Sequence, residues 1–187
     1  MIVIKECSIP DIKLVEVRRF CDERGYFAET WNRKEWFAAG IDCDFVQDNE
    51  SSSSYGVIRG LHYQAGARMQ AKLVRVIYGK VLDVCVDIRR GSPWFGRMCA
   101  VVLDGEKAEE LFIPRGFAHG FAVLSERAVF AYKCDNFYDP ASERGILLSD
   151  PDLGIDWQIP EQKRIINSRD RAFPLLRDAA DLPEFNK

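Results

Sequence analysis

The sequence predicts an all-β protein, built as a sandwich or barrel of many short strands. Several short apolar runs are separated by turn residues, which is the pattern of these folds. At 187 residues, with 47% hydrophobic and 29% charged residues, the chain can bury a core without disulfides or metal. No repeat or shift in composition marks a second domain. We therefore expect residues 1–187 to form one domain.

Four strands are clearly marked by β-branched and aromatic residues. They are Leu73–Tyr78, Val81–Ile88, Met98–Leu103 and Ala128–Lys133. Gly79 and Lys80 separate the first two runs. They predict a tight hairpin turn, in which the glycine supplies a positive φ.

One helix is well marked between the early strands. Asn32 is a suitable N-cap, and Glu35 occupies the capping-box position. Trp36 and Phe37 supply an apolar face, and Gly40 provides the stop signal. The sequence therefore predicts a short helix with one apolar face.

Two segments are less regular. The polar stretch 50–56, which contains four consecutive serines, is predicted to be a flexible connector. After about Ser149 the chain is broken by Pro151, Pro160 and Pro174. This part still carries Ile155, Trp157, Ile165 and Ile166, so we expect it to pack back on the barrel.

Charge and cysteine usage exclude several classes of protein. A net charge of −3 gives no electrostatic footprint for nucleic acid or an anionic membrane, and no apolar segment is long enough to span a bilayer. The six cysteines form no C-x-x-C pair, so a zinc or redox motif is not expected. Free thiols and the lack of a leader-like N-terminus predict a cytoplasmic protein.

The chain has only two histidines, His62 and His119. The second closes a P-x-G-x-x-H motif that begins at Pro114, which is typical of the cupin jelly roll. Metal-binding cupins also carry an H-x-H pair upstream, but here His62 is followed by Gln64. Two histidines cannot build a typical three-histidine site, so we expect neither a metal nor another cofactor.

Without these groups, the natural chemistry for an inward histidine is proton transfer. Lys72 opens an otherwise apolar strand, and the period of two places Tyr132 on the face of inward apolar residues. Asp83 and Asp87 share one face of a central-looking strand. Charged groups that point into a barrel need partners or a task. A purely structural role for both histidines remains an alternative at this point.

Seven segments occur in order between about residues 2 and 176: Asp22–Glu29, Phe45–Asn49, Arg59–Gln64, Lys72–Val74, Ile113–Phe121, Tyr132–Lys133 and Asn136–Pro140. Together they resemble the dTDP-4-dehydrorhamnose 3,5-epimerase family. The resemblance implies a metal-free cupin-type double-stranded β-helix, or jelly roll. It also implies a dTDP-linked 4-keto-6-deoxy sugar as substrate, epimerised at both C3 and C5, and a homodimer with sheet contributions from the N-terminal segment.

The family's catalytic residues match four positions of this chain. By resemblance, His62 is the base, Tyr132 is the acid that returns a proton to the opposite face, and Lys72 is the electrophile near the ketone oxygen. Asp170 resembles the aspartate that pairs with the base, although a helix or turn cap would look the same in sequence. Asp83 is a second candidate for this supporting role.

The side chains expected to bind the substrate are Arg24, Phe27, Glu29, Gln47, Asn49, Arg59, His119, Tyr138, Glu143 and Arg169. The forked donors of the three arginines suit a diphosphate, and the resemblance implies that Tyr138 stacks on the thymine ring. Strict alternation would place Arg59 and His62 on opposite faces of a strand. A bulge at Gly60 could bring both into one pocket.

Three alternatives remain. A one-centre 3- or 5-epimerase of another 4-keto sugar nucleotide would use the same four catalytic residues. A sugar-nucleotide-binding cupin without catalytic activity would bind but exchange no carbon-bound proton. A metal-dependent cupin would contain a stoichiometric divalent ion.

Overall fold

The computed structural model describes residues 2–185, which form thirteen β-strands and two short α-helices. In chain order these are β1 (Ile2–Glu6), β2 (Lys13–Val17), β3 (Arg19–Asp22), β4 (Gly25–Ala28), α1 (Arg33–Ala38), β5 (Gln47–Ser54), β6 (Ile58–Gln64), β7 (Lys72–Tyr78), β8 (Lys80–Asp87), β9 (Met98–Asp104), β10 (Glu109–Ile113), β11 (Phe117–Val123), β12 (Arg127–Cys134), β13 (Glu143–Gly145) and α2 (Ser168–Arg171). The all-β prediction is confirmed. Within residues 2–185, no helix is long and apolar enough to cross a membrane.

Two antiparallel sheets carry the fold. The six-stranded sheet has the order β1-β2-β10-β7-β12-β5, and the five-stranded sheet has the order β13-β6-β11-β8-β9. Strands β3 and β4 form a separate hairpin. The inner faces of the two sheets meet in a shared core, as predicted for a cupin-type jelly roll.

The central strands β8 and β11 of the five-stranded sheet are buried on both faces. On β8, Val81 and Cys85 point into the core between the sheets, while Val84 points outward. Trp157 and Ile159 of the C-terminal segment cover this outer face and are almost fully buried. The prediction that the irregular C-terminal part packs back on the barrel is confirmed, and this cover explains why nearly every residue of β8 and β11 is buried.

The four strands marked in the sequence are confirmed as β7, β8, β9 and β12, with their ends moved by one residue at most. Gly79 forms the predicted turn between β7 and β8, with a φ of 83°. A Cβ atom on this glycine would lie 2.1 Å from the carbonyl oxygen of Arg127. The turn therefore requires glycine both for its backbone angle and for space.

Helix α1 covers the outer face of the six-stranded sheet. Asn32 caps it by accepting hydrogen bonds from the amides of Lys34 and Glu35, and Gly40 follows its end with a φ of 83°. Trp36 is 1% exposed, as predicted. The prediction that the adjacent Phe37 shares this buried face is wrong, because successive helical residues point about 100° apart and its side chain faces outward.

The prediction of a flexible connector at residues 50–56 is also wrong for most of its length. Residues 47–54 form β5, an edge strand that pairs with β12 over its whole length. Its side chains alternate between more and less exposed positions. The strand escapes a composition-based prediction because its inner face lines a polar cavity and does not contribute to the apolar core.

Candidate active site

A cavity of about 370 Å³ opens between the two sheets. Its polar and charged lining includes Arg59, His62, Lys72, His119, Tyr132, Glu143 and Arg169. An adjoining cavity of about 300 Å³ shares His62, Lys72 and Tyr132 and adds Gln47, Gln64, Cys134 and Tyr138. The structure therefore brings most of the predicted site residues to one place, with three basic side chains at hand for an anionic ligand.

The neighbouring strands β6 and β11 carry the two histidines. His62 and His119 are directly paired, and the next matched pair is Arg59 with Phe121. Between these pairs β6 has two residues where β11 has one, so β6 contains a bulge. The extra residue brings Arg59 and His62 to the same cavity, as the bulge hypothesis predicted.

Gly60 allows this bulge because its backbone comes very close to β11. Its φ is 130°, and a Cβ atom here would lie 2.5 Å from the Cα atom of Gly120. Gly120 has no side chain either, and a Cβ atom on it would lie 2.6 Å from the carbonyl oxygen of Arg59. A pair of glycines facing each other thus sets the direction of the adjacent Arg59 and His62 side chains.

His62 is paired with an aspartate. Its Nε2 lies 2.8 Å from Oδ1 of Asp170, whose side chain is fully buried. The other carboxylate oxygen of Asp170 accepts a hydrogen bond from the amide of Gly60 at 3.2 Å. Burial alone would raise the pKa of Asp170, but the hydrogen bond and charge of His62, together with the amide of Gly60, lower it overall.

Helix α2 presents Asp170 to the histidine. The side chain of Asn167 caps this helix by accepting a hydrogen bond from the Asp170 amide at 2.7 Å. The alternative role of Asp170 as a cap is therefore filled by Asn167, and the carboxylate is left for His62. The ring of Phe173 packs edge-on against the imidazole, with the ring centroids 5.6 Å apart.

Lys72 and Tyr132 face the same cavity from the six-stranded sheet. The Lys72 ammonium lies 5.8 Å from the centroid of the Tyr132 ring, and it forms no hydrogen bond or ion pair within residues 2–185. Burial lowers the pKa of Lys72, although the negative charges around it, including those of Asp83 and Glu143, act in the opposite direction. Burial raises the pKa of the Tyr132 phenol. A cation and a proton donor thus stand opposite the His62 dyad.

The second histidine has an aspartate of its own. Nε2 of His119 lies 2.9 Å from Oδ2 of Asp83, and both side chains are buried. The hypothesis that Asp83 supports His62 is therefore wrong: β8 pairs with β11, which brings Asp83 to His119. Asp87 on the same strand bonds instead to Arg89 and Ser92, at the end of the strand.

A polar cluster forms the mouth of the adjoining cavity. Glu143 accepts hydrogen bonds from the Tyr138 hydroxyl at 2.7 Å and from Arg169 at 2.6 Å. Gln47 accepts from the amide of Tyr138 and donates to Asn49. These five predicted binding residues therefore form one connected group, in which Tyr138 is held with its ring about half exposed.

The residues predicted from the first motif lie elsewhere. Arg24 and Phe27 belong to the β3–β4 hairpin and are strongly exposed, and neither lines the cavities described above. Arg24 is paired with Asp22, and Glu29 accepts a hydrogen bond from Asn32. Within one chain, these three predicted ligand contacts are not brought to the site, and their role stays a prediction.

Several cavity residues were missed in the sequence, among them Cys134, Gln70 and Ser51. Cys134 follows Tyr132 by two positions on β12, so strand periodicity could have placed it in the cavity. Gln70 lies two residues before Lys72 and donates to the carbonyl of Asn136. Ser51 was hidden in the serine run. Within residues 2–185, no group of three or more histidine, cysteine or acidic side chains is arranged as a metal site.

Comparison with known proteins agrees with this geometry. The family model described as dTDP-4-dehydrorhamnose 3,5-epimerase matches residues 6–178. The epimerase of that name from Shigella flexneri is 50% identical over 91% of this chain and 93% of its own length. The Salmonella typhimurium enzyme is 48% identical, over 96% and 97% of the two chains.

A solved structure from Legionella pneumophila, a dTDP-6-deoxy-D-glucose-3,5-epimerase in complex with dTDP-4-keto-L-rhamnose, superposes with a TM-score of 0.96. It is 45% identical to this chain, and the match covers all of both chains. The sequence match, the shared fold and the His62 cavity lead to one conclusion: this chain belongs to the dTDP-4-dehydrorhamnose 3,5-epimerase family.

Proposed function

We propose that this protein converts dTDP-4-dehydro-6-deoxy-D-glucose into dTDP-4-dehydro-L-rhamnose by inverting C3 and C5 of the sugar. The observation that carries the proposal is the His62–Asp170 pair, which shares one cavity with Lys72 and Tyr132. Family membership supports the substrate class, and the ligand of the Legionella relative corresponds to the expected product.

In this proposal His62 removes the carbon-bound proton. A carboxylate can only accept a hydrogen bond, so Nε2 of His62 carries the hydrogen shared with Asp170, and Nδ1 has the free electron pair. Protons on C3 and C5 are acidic because their removal gives an enolate that is delocalised onto the C4 ketone. The buried carboxylate of Asp170 stabilises the imidazolium that results.

Lys72 supplies the positive charge for the enolate oxygen. Its ammonium makes no hydrogen bond or ion pair within residues 2–185, so it is available to the substrate. The stabilisation grows as negative charge moves onto the oxygen, and it therefore favours the transition state over the ground state.

Tyr132 completes the inversion from the other side. Its hydroxyl gives a proton to the carbanion carbon, whose electron pair forms the new C–H bond, and a phenolate remains. The raised pKa of the phenol keeps it protonated before this step. Proton exchange with water then returns His62 and Tyr132 to their starting states.

The remaining polar groups orient the nucleotide. Arg59 and Arg169 provide donors for the diphosphate, and the exposed face of Tyr138 is available for the thymine ring. Glu143 binds both Tyr138 and Arg169, so it links the proposed base-binding and phosphate-binding parts of the site.

We further propose a homodimer. The β3–β4 hairpin exposes Phe20, Tyr26 and Phe27, which are large apolar side chains for a free surface. Placed against a second copy, this hairpin would carry Arg24 and Glu29 towards the partner's cavity.

All six cysteines are free, and Cys21 is exposed, which supports a reducing compartment such as the cytoplasm.

Incubation with the 4-keto substrate in deuterated water tests the proposal. We expect deuterium at both C3 and C5 of the sugar, detected by NMR and mass spectrometry. Deuterium at only one carbon would establish the one-centre alternative. The His62→Ala variant should bind the nucleotide but lose exchange; unchanged exchange would exclude His62 as the base, and binding without exchange by the unmodified protein would indicate a non-catalytic cupin.

A further inference from the structure

A second histidine–aspartate pair, His119 and Asp83, lies at the cavity. The proposed reaction already has its base in His62, so this pair needs another role. His119 is 7% exposed and Asp83 is fully buried, so their contact at 2.9 Å is shielded from water. Phe130 stacks on the imidazole with an interplanar angle of 21°, and Phe121 stacks on Phe130 in turn. Phe130 thereby fixes the ring plane of His119, and Asp83 fixes the position of its Nε2 atom.

Asp83 is bound at both carboxylate oxygens. Oδ2 contacts Nε2 of His119, and Oδ1 accepts from the thiol of Cys85 at 3.6 Å. An aspartate carboxylate accepts hydrogen bonds and does not donate them, so the hydrogen between Asp83 and His119 belongs to Nε2. In the neutral ring, Nδ1 is then an acceptor.

Nδ1 of His119 is also accessible. It makes no hydrogen bond within residues 2–185, and in this part of the chain the only fully buried side-chain nitrogen or oxygen without a partner is Nε of Arg19. Nδ1 is therefore not sealed in the core. Because His119 lines the larger cavity, the open space next to this atom is the substrate cavity.

We propose that Asp83 is a positioning residue: it holds His119 in the tautomer with hydrogen on Nε2, so that Nδ1 accepts a hydrogen bond from a hydroxyl group of the substrate's sugar. This inference rests on the proposed function. Phosphate oxygens and the C4 ketone oxygen offer only lone pairs and cannot donate to Nδ1. In a 4-keto-6-deoxyhexose linked through C1, the donors are the hydroxyls on C2 and C3.

The position of His119 favours the sugar over the nucleoside. His119 is directly paired with His62, so both imidazoles lie at the same level of the cavity. Tyr138, at the proposed base-binding part, lines the adjoining cavity, which His119 does not line. The His119–Asp83 pair thus selects a sugar that carries a hydroxyl group beside the reacting carbons. A deoxy sugar would cover Nδ1 of His119 and leave it without a hydrogen-bond donor.

The tautomer can be measured directly, because the chain has only two histidines. Long-range ¹H–¹⁵N NMR spectra of the histidine-labelled protein at pH 8, with a His62→Asn variant for assignment, identify the nitrogen that carries the hydrogen. We expect Nε2–H for His119 and loss of this single form in Asp83→Asn. An Nδ1–H form in the unmodified protein would overturn the proposal, and this measurement needs no turnover and no Asp83 variant.

Substrate selection provides the second readout. Deuterium exchange at C5 is compared for the parent 4-keto-6-deoxy sugar nucleotide and for analogues that lack the 2- or the 3-hydroxyl. We expect kcat/KM of the unmodified protein to be about 100-fold lower for one of the two analogues. In Asp83→Asn, kcat/KM for the parent should fall towards the value for that analogue. The analogue makes no bond to His119, so its own kcat/KM should change about 3-fold or less.

Asp87→Asn is the matched control, because Asp87 is an equally buried aspartate on the same strand, bonded to Arg89 and Ser92. It should keep the discrimination of the unmodified protein. Equal losses for parent and analogue in Asp83→Asn, or no discrimination in the unmodified protein, would overturn the proposal. If the parent showed no exchange at any carbon, the proposed function would fail, while the NMR result would still decide the tautomer.

Discussion

His62 and His119 lie directly opposite each other on neighbouring strands, yet their imidazoles are bound to different aspartates. Asp170 comes from the C-terminal helix α2, and Asp83 comes from the middle of β8. Both contacts are made through Nε2, so both rings have Nδ1 left for the cavity. Because the two supports are separate, the aspartate of one histidine can be replaced without removing the partner of the other.

The first prediction concerns the support of the base. Asp170→Asn should lower the rate of deuterium exchange by about 10²–10⁴-fold, because the amide neither fixes the tautomer of His62 nor stabilises its imidazolium. Nucleotide binding, measured by calorimetry, should change little.

Asp150→Asn is a suitable control for this variant. Asp150 is a buried aspartate in the same C-terminal segment, and it accepts from the amides of Asp152 and Leu176, away from the cavity. It should lower thermal stability but keep the exchange rate of the folded protein. An Asp170→Asn variant with nearly full activity would contradict the role of the pair.

The second prediction concerns the charge of Lys72. Lys72→Met should lower kcat by about 10²–10³-fold, which is typical when one group that stabilises a developing oxyanion is removed. The methionine side chain has a similar length and suits a buried position, so the fold should be kept. A higher KM with an unchanged kcat would show that Lys72 contributes to substrate binding and does not act on the enolate.

The pH dependence gives a separate test of Lys72. Burial lowers its pKa from the ordinary value of 10.5, so the ammonium is lost, and activity falls, at a pH below that value. Burial raises the pKa of Tyr132 above its ordinary value, so the phenol loses its proton only at a higher pH. In Lys72→Arg, whose guanidinium stays charged, this alkaline loss should move to higher pH. An unchanged profile would assign the loss to another group.

The strands and one wall of the site were accessible to sequence reasoning. Period-two spacing correctly placed Tyr132 on the inner face, and the apolar run after Lys72 correctly indicated a strand that enters the core. A bulge at Gly60 could be proposed as a hypothesis, because strict alternation along the strand conflicts with a shared site for Arg59 and His62. Its answer required the pairing with β11.

Contacts between distant segments were less accessible. The pairing of His62 with Asp170 spans 108 positions, and it was available only through the family resemblance. Asp83 was assigned to the wrong histidine because periodicity gives the face of a residue but not its neighbour in the next strand. Strand β5 was missed because its serines and acids look like a linker until the cavity beside them is known.

The third prediction tests the glycine contact under the bulge. Gly60→Ala should destabilise the protein by more than about 2 kcal/mol, because the new Cβ atom would collide with the backbone of Gly120 and the φ of 130° is unfavourable for alanine. Any folded fraction should exchange poorly, since Arg59 and His62 would be redirected. Thermal unfolding and exchange assays measure both effects.

Gly66→Ala separates the two causes. Gly66 also has a positive φ, 59°, but a Cβ atom on it would have no neighbour within 4 Å. Its substitution should cost only the backbone term, about 1 kcal/mol, and leave exchange intact. Equal destabilisation by both substitutions would show that the backbone angle, and not the approach to Gly120, explains the need for glycine at position 60.

The fourth prediction concerns Glu110, which is 3% exposed on β10. Burial raises its pKa to about 8, although Arg75 and Lys133 act in the opposite direction. The folded protein therefore holds a proton that the unfolded chain releases near the ordinary value of 4.5. Between these two values the folded state binds more protons, so the free energy of unfolding decreases as the pH rises. Below this window the penalty is absent.

Glu110→Gln should remove this dependence. The stabilities of the variant and the unmodified protein should be nearly equal at pH 4, and the variant should be more stable by up to about 4 kcal/mol at pH 8, measured by denaturant unfolding at fixed protein concentration. Glu106→Gln, at an exposed position, should change stability by about 0.5 kcal/mol or less at either pH. If the unmodified protein and Glu110→Gln kept the same difference in stability at both pH values, Glu110 would be ionised throughout, and Arg75 and Lys133 would compensate its burial fully.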